Sequence, residues 1–237
     1  MNRLLPFDAY YHIFNRWRNS TAFFLADKGN VGDELLRCAT WQIFEYFNIS
    51  RTEIIDESDV VFWGAGGNMG PLYPHTVTAR KLLSLQCDKL QKPFVILPQS
   101  WNGFEDITPN WSFVREVYSL KFSQYSQIAP DMALSYLSSM KINNATNDVG
   151  LFFRKDDEKT SNIPLSRDPA FIARSVNEYL NLAWTYKVIH TNRLHFAIAG
   201  MYANREVILY PNSYHKNKGV FELWLKGRGC EWRDTYN

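Results

Sequence analysis

Thr21-Ala22-Phe23-Phe24-Leu25-Ala26-Asp27-Lys28-Gly29-Asn30-Val31-Gly32-Asp33, running on into Glu34 to Asn48, is the stretch that decides the fold. Thr21 to Ala26 is a short apolar run of the kind that fills a buried strand. From Glu34 onward, Leu35, Leu36, Ala39, Ile43, Phe44 and Phe47 recur at the three-and-four spacing of a helix that buries one face. Gly29 and Gly32 lie between the two segments. The reading is strand, glycine turn, helix, which is the opening of a βα unit with its strand in a parallel sheet.

The same pattern repeats outward along the chain. Asp59 to Trp63 is a second strand, ending in the glycine-rich turn Gly64-Ala65-Gly66-Gly67-Asn68-Met69-Gly70, with a helix from about His75 to Leu90. Pro93 to Leu97 is a third strand, closed by Pro98-Gln99-Ser100. Phe113-Val114 leads into Arg115-Glu116, Ile128 into Pro130-Asp131, and Val149 to Phe153 is a further apolar run. The polar stretch Asp156 to Asn162 is expected to be the weakest-structured segment. A helix over Asp168 to Trp184, a strand at Lys187 to His190, a helix over Leu194 to Tyr202, a strand at Glu206 to Leu209 and a short helix at Val220 to Leu225 complete the series. Strands alternating with helices predict an α/β fold with parallel sheets, and ligands in such sheets bind at the carboxyl ends of the strands. A boundary near Asn144 to Asp148 divides the chain into an N-terminal domain, 1–147, and a C-terminal domain, 148–237.

Composition narrows the functional classes. In 237 residues, 46% hydrophobic and 21% charged, a sizeable core can be buried. Lys and Arg number 26 against 24 Asp and Glu, so the net charge is +2, and no basic block gives a nucleic-acid footprint. The aromatic share is 16%, with eight Trp, a surplus that either fills the core or lines a sugar or protein surface. Cys38, Cys87 and Cys230 form no C-x-x-C pair, so neither a disulfide framework nor a zinc site is expected and a reducing compartment is the default. In the first twenty residues Pro6, Asp8, Arg16 and Arg18 interrupt the apolar stretches, which leaves no signal-peptide core and no spanning helix. The chain reads as cytoplasmic. Its N-terminal segment, which mixes aromatics with Arg3, Arg16 and Arg18, could lie on the inner membrane surface or on a partner, or pack as a helix.

The glycine run from Gly64 to Gly70 does not match G-x-G-x-x-G, because Met69 stands in the place of the third glycine, and the next strand ends in Pro98 rather than in an acidic residue for a ribose. Its more general reading is a turn whose free backbone N–H groups face an anion or a substrate oxygen. No G-x-x-x-x-G-K-[ST], H-E-x-x-H, G-x-S-x-G or D-x-D occurs, and no metal is expected. Arg193-Leu194-His195 is the most informative triplet, because it sits at a strand-to-helix corner that points to the ligand crevice. There an Arg offers a planar fork to carboxylate or phosphate, and a His exchanges a proton near neutral pH. Alternatively, Arg193 and His195 cap the helix or pair with Asp or Glu.

Taken together, Asn30-Val31-Gly32-Asp33, Gly64 to Gly70, Leu97-Pro98-Gln99-Ser100, Arg115-Glu116-Val117-Tyr118-Ser119, Pro130-Asp131-Met132-Ala133, Thr191-Asn192-Arg193-Leu194-His195 and the tail Asn212-Ser213-Tyr214-His215-Lys216 resemble the polysaccharide pyruvyl transferase family. The resemblance spans about residues 24 to 225. It implies a glycosyltransferase-B-like pair of Rossmann-type halves, and transfer of a pyruvyl group from phosphoenolpyruvate to a sugar of a cell-surface or secreted glycan as a cyclic ketal. It puts Arg115, Arg193 and His195 on the donor. Asn30, Gly32, Asp33, Gly66, Gly67, Asn68, Ser100, Asp131 and Leu194 are then expected to line the substrate site. Tyr73 and His75 either touch the sugar or pack the start of the next helix, and Asp33 either serves as a base or caps its helix. The expected partners are phosphoenolpyruvate and a saccharide acceptor, free or lipid-linked, with no cofactor beyond the donor. Two departures stand out. Asn192 occupies the position where the family has Asp, and the C-terminal half is short for a full Rossmann half. A nucleotide-sugar glycosyltransferase and a catalytically silent sugar-binding relative are the alternatives.

Overall fold

In the computed structural model, which describes residues 3–26, 28–160 and 164–236, the strands form two sheets and every strand pairing is parallel. The α/β architecture expected from the sequence is therefore the one observed. The chain divides into two units. One comprises Leu5–Lys28 and Leu36–Ser135, and the other Met1–Leu4, Gly29–Leu35 and Tyr136–Asn237. The last of these breaks lies at Ser135/Tyr136, and the segment Gly29–Leu35 groups with the C-terminal residues.

The first unit holds β1 (Thr21–Leu25), β2 (Ser50–Thr52), β3 (Val60–Trp63), β4 (Gly66–Met69), β5 (Phe94–Trp101), β6 (Trp111–Val114) and β7 (Gln127–Ile128), with the helices α1 (Tyr11–Phe14) and α3 (Pro74–Leu90). Helix α2 spans Val31–Tyr46. The strand order is β2-β1-β3-β5-β6-β7, and β4 lies alongside the carboxyl half of β5. The chain steps from β1 outward to β2 and then back across to β3, so the order reverses between β1 and β3, the kind of switch point at whose carboxyl ends open α/β sheets bind ligands. All eight residues of β5 are buried, as both faces of a central parallel strand must be. β5 runs through Pro98, where the sequence pattern predicts the strand to close. A proline in a sheet interior gives up a ladder hydrogen bond, and the register with β6 shifts between Ile96 and Gln99. The aromatic surplus goes largely inward. Phe14 of the N-terminal segment packs against Phe44, Phe47 and Phe62 at centroid distances of 5.8, 5.9 and 5.6 Å. Each such fully buried ring contributes roughly 1.5–3 kcal/mol.

The second unit holds β8 (Asn147–Phe152), β9 (Tyr186–Thr191), β10 (Glu206–Leu209) and β11 (Cys230–Trp232) in the order β11-β10-β9-β8. Its helices are α4 (Pro169–Ile172), α5 (Val176–Trp184), α6 (Leu194–Tyr202) and α7 (Lys216–Val220), the last continued by a π-helical turn, Phe221–Leu225. The single helix expected over 168–184 is broken. Asp168 caps α4 by accepting from the Ala170 amide, Ala173 is extended, and Ser175 caps α5 by accepting from the Glu178 amide. Pro169 at the first helical position and the Ser175-Val176-Asn177-Glu178 run are both helix-start signals, so two starts compete within one apolar pattern. The polar stretch also differs from expectation. Asp156 and Glu158 are held in ion pairs, and Glu158 is buried; Ser161 and Asn162 lie outside the described residues.

The glycine-rich segment after β3 is held by a buried pair. Arg80 of α3 contacts Glu105 through Nε at 2.8 Å and Nη2 at 2.5 Å, and both side chains are fully shielded from solvent. Arg80 also donates to the Asn68 carbonyl at 2.8 Å, and Glu105 accepts from the Gly70 amide. Removing one partner of a buried pair leaves an uncompensated charge, so Glu105→Ala is expected to lower the unfolding free energy by about 3–5 kcal/mol. Urea denaturation checks this, and an unchanged midpoint would show that the pair does not hold the segment.

Candidate functional site

The corner between β9 and α6 is held together by hydrogen bonds among its own residues. Thr191, the last residue of β9, donates through Oγ1 to the Phe152 carbonyl at 2.6 Å and accepts from the Arg193 amide at 3.0 Å, which locks the ends of β8 and β9 together. Asn192 is buried, and its Oδ1 accepts from the Arg154 amide at 2.7 Å. An Asp in that position would accept the same bond, so the exchange removes a charge while keeping the contact. Arg193 is the N-cap residue of α6, and its guanidinium grips Asp168 as a two-pronged fork, with Nε to Oδ1 at 2.9 Å and Nη2 to Oδ2 at 2.7 Å. Nη2 also lies 2.8 Å from Asp156 Oδ2. Burial opposes the charge on Arg193 most strongly, but the hydrogen bond to Asp168 and the charges of Asp168 and Asp156 together outweigh it, and the guanidinium pKa is raised. Arg193 thus pairs with Asp168 and Asp156, and the pairing fixes the direction of its guanidinium.

Leu194 is buried at the first helical position, and His195, half-buried, follows it. The first turn of α2 lies against this histidine. A Cβ at Gly32 would fall 3.0 Å from His195 Nδ1 and 3.2 Å from its Cβ, so glycine leaves the ring its space. That turn is closed reciprocally: Asn30 Oδ1 accepts from the Gly32 amide at 2.9 Å, and Asp33 Oδ2 accepts from the Asn30 amide at 2.8 Å. This is a capping box with Asn and Asp in its two roles. It starts α2 at Val31, ahead of the Glu34 start expected, and it commits Asn30 and Asp33 to the helix end.

Arg115 belongs to the other unit and follows β6. It is buried, donating through Nε to Ser100 Oγ at 2.8 Å and through Nη1 to Asp131 Oδ2 at 2.5 Å. Asp131 is fully buried, its Oδ1 accepting from the Ala133 amide and its carbonyl from the Tyr10 hydroxyl at 2.7 Å. The rest of the Arg-Glu-x-x-Ser run is architectural: Glu116 accepts from the Ser119 amide and hydroxyl, and Ser119 Oγ accepts from the Trp101 amide at 2.7 Å. Arg115, Ser100 and Asp131 are therefore one cluster, and Arg193, His195, Gly32, Asn30 and Asp33 another.

The glycine-rich segment does not match its expectation. Gly66, Gly67, Asn68 and Met69 form β4, paired with the carboxyl half of β5, instead of an open turn. The Asn68 and Gly70 amides are directed to Gln99 Oε1 and Glu105 Oε1, and Gln99 Nε2 donates to the Gly64 carbonyl at 2.5 Å. The glycines are explained by close backbone approach: at Gly70, with φ of 98°, a Cβ would meet the Gly103 amide at 2.5 Å. Tyr73 is half-buried and His75 exposed, and their rings meet edge-on at 6.4 Å where α3 begins.

Of the other residues at the β9 corner, Lys216 lies in the tail that carries the family resemblance, while Arg154 and Glu158 carry no sequence signal. Arg154 follows β8 and contacts Asp156 and Glu158, and Lys216 also contacts Glu158. Asp168 reads in the sequence only as a helix start. The Tyr179 hydroxyl is fully buried with no hydrogen-bond partner among the described residues, and burial raises its pKa. Among the described residues no group of three or more His, Cys, Asp or Glu is placed to hold a metal ion, and no helix is long and apolar enough to cross a membrane.

Asn30→Ala deletes the acceptor for the Gly32 amide and is expected to cost about 1 kcal/mol of stability, while Asp33→Asn keeps an acceptor oxygen and costs less. Chemical denaturation of both variants checks the order, and the reverse ranking would count against the cap.

No curated protein matches the chain. A functionally uncharacterised protein from Klebsiella pneumoniae has a crystal structure that superposes with a TM-score of 0.76 over 95% of this chain and 97% of that one, at 23% identity, a likeness of fold. The profile of polysaccharide pyruvyl transferases matches residues 30–214, a span that takes in Asn30, Gly32, Arg115 and the whole Arg193-Leu194-His195 corner, and the chain belongs to the polysaccharide pyruvyl transferase family.

Proposed function

We propose that the protein transfers a pyruvyl group from phosphoenolpyruvate to two hydroxyls of a saccharide, free or lipid-linked, forming a cyclic ketal at the cytoplasmic face of the membrane. The observation that carries this reading is the β9 corner, where a fork-oriented arginine and a histidine with cleared space stand two residues apart at a strand's carboxyl end. One sugar hydroxyl adds to C2 of the donor while C3 takes a proton and becomes the methyl group. The second hydroxyl then displaces phosphate from C2. Of the two hydroxyl protons, one ends on C3 and the other on the departing phosphate, so the catalyst must relay a proton rather than consume one. His195 is assigned to deliver the proton to C3, since imidazole exchanges protons near neutral pH. Arg193 and Arg115 are assigned to the donor's carboxylate and phosphate, where preorganised guanidiniums stabilise developing charge without reorganising.

Phosphate release from phosphoenolpyruvate in the presence of an acceptor panel tests the reading directly. Release driven by a nucleotide sugar instead would favour a glycosyltransferase, and stabilisation by sugars alone a silent binder.

His195→Gln keeps size and hydrogen bonding but cannot protonate carbon near pH 7, so turnover is expected to fall roughly 10²–10⁴-fold with donor affinity little changed. Single-turnover rates beside Tm check this, and near wild-type turnover would remove the acid assignment. Arg193→Lys replaces a fork by a point charge, so it is expected to weaken donor binding and to cost about 1–3 kcal/mol of stability through Asp168, an effect that donor titration and urea unfolding measure separately.

A further inference from the structure

Three cations and three carboxylates meet at the carboxyl ends of β8, β9 and β10, and the carboxylates are not equivalent. Asp168 accepts from Arg193 Nε and Nη2, from the Lys155 amide and from the Ala170 amide, and its side chain is 1% exposed. Glu158 accepts from Arg154 Nη1, Asn212 Nδ2 at 2.9 Å and Lys216 Nζ, and is 3% exposed. These two hold the cations from behind. Asp156 stands on the open side, 32% exposed, with its carboxylate against the remaining faces of both guanidiniums. Arg154 Nε reaches Oδ1 at 2.7 Å and Nη2 reaches Oδ2 at 3.0 Å, while Arg193 Nη2 reaches Oδ2 at 2.8 Å. The Glu158 amide also donates to Oδ1, at 3.2 Å.

Two guanidiniums, both buried and both anchored by other carboxylates, thus present three N–H donors to one anion that can reach water. With Asp156 counted, the six charges cancel; with Asp156 turned out, the seat carries +1. We propose that Asp156 is a built-in counter-anion occupying a phosphate seat formed by Arg154 and Arg193, and that a phosphate group takes this seat by displacing the Asp156 carboxylate. Three donors spread over two guanidiniums suit a tetrahedral dianion, whose oxygens take one donor each, better than a planar carboxylate, two of whose three guanidinium contacts crowd onto Oδ2. The counter-anion keeps the buried cations paired when the seat holds no ligand, and sets the affinity by competing with the ligand. That phosphoenolpyruvate delivers the phosphate rests on the proposed function; the seat itself does not.

The probe is orthophosphate, measured by calorimetry on the full chain. Asp156→Asn keeps the shape and removes the competing charge, so it is expected to bind orthophosphate roughly tenfold more tightly than wild type, while Arg154→Gln binds it more weakly. Phosphoenolpyruvate is expected to share the gain, and pyruvate, which lacks the phosphate, is not. In wild type, saturating phosphate is expected to speed hydrogen exchange at the Glu158 amide, which loses its Asp156 acceptor; this needs no variant to fold. Unchanged phosphate affinity in a folded Asp156→Asn protein, or an unchanged Glu158 exchange rate under saturating phosphate, would overturn the proposal. Orthophosphate binding with this Asp156 dependence but no turnover of phosphoenolpyruvate would leave the seat standing and remove the pyruvyl reading. Turnover without the dependence would do the opposite.

Discussion

The fork between Arg193 and Asp168 is the interaction on which the C-terminal site depends. A guanidinium taken out of water at a strand end is costly unless every charge around it is answered, and Asp168 answers it with both oxygens while also accepting the Lys155 and Ala170 amides. One buried carboxylate thereby fixes the chain after β8, the start of α4 and the corner at α6. The fork sets the direction of the arginine, and Thr191 and Asn192 set the corner from which it projects.

Arg115 is treated in the same way in the other unit, clamped by Asp131 and Ser100 at the carboxyl ends of neighbouring strands. Holding arginines with buried carboxylates has a chemical consequence. A guanidinium already fixed in direction does not need to be ordered when a charged substrate arrives, and its field is felt in a poorly screened environment. The same pairing lowers the net charge offered to that substrate. Whether the offered charge is large depends on which carboxylates are locked in and which can turn toward water, and in the C-terminal unit Asp156 differs from Asp168 and Glu158 in that respect.

Several residues that read as binding motifs in one dimension make structural contacts in three. Asn30 and Asp33 close a helix, Glu116 and Ser119 cap a turn and secure Trp101, and the Gly64 to Gly70 run is a strand beside β5. These residues support the site by positioning what surrounds it. Gly32 does so by having no side chain next to His195.

The sequence by itself determined the element types, because the three-and-four spacing of Leu35, Leu36, Ala39, Ile43, Phe44 and Phe47 and the apolar runs of the strands are local consequences of which faces must be buried. Helix α6 and strand β10 fall on the residues expected of them. It also marked Arg193, His195 and Arg115 as candidates, through the strand-to-helix position and the family resemblance. It did not reveal β2, β4 or β11, each three or four residues long, nor the break at Ala173, because short edge strands and competing helix starts are decided by what they pair with. Nor could it show that Asp168, distant in sequence from Arg193, would meet it, or that Arg193 would reach Asp156 and Lys216 would reach Glu158. Asp168 lies 25 residues from Arg193 and Glu158 lies 58 from Lys216, separations that carry no periodic signal, and the closing of β8, β9 and β10 into one sheet brings these charges within hydrogen-bond reach.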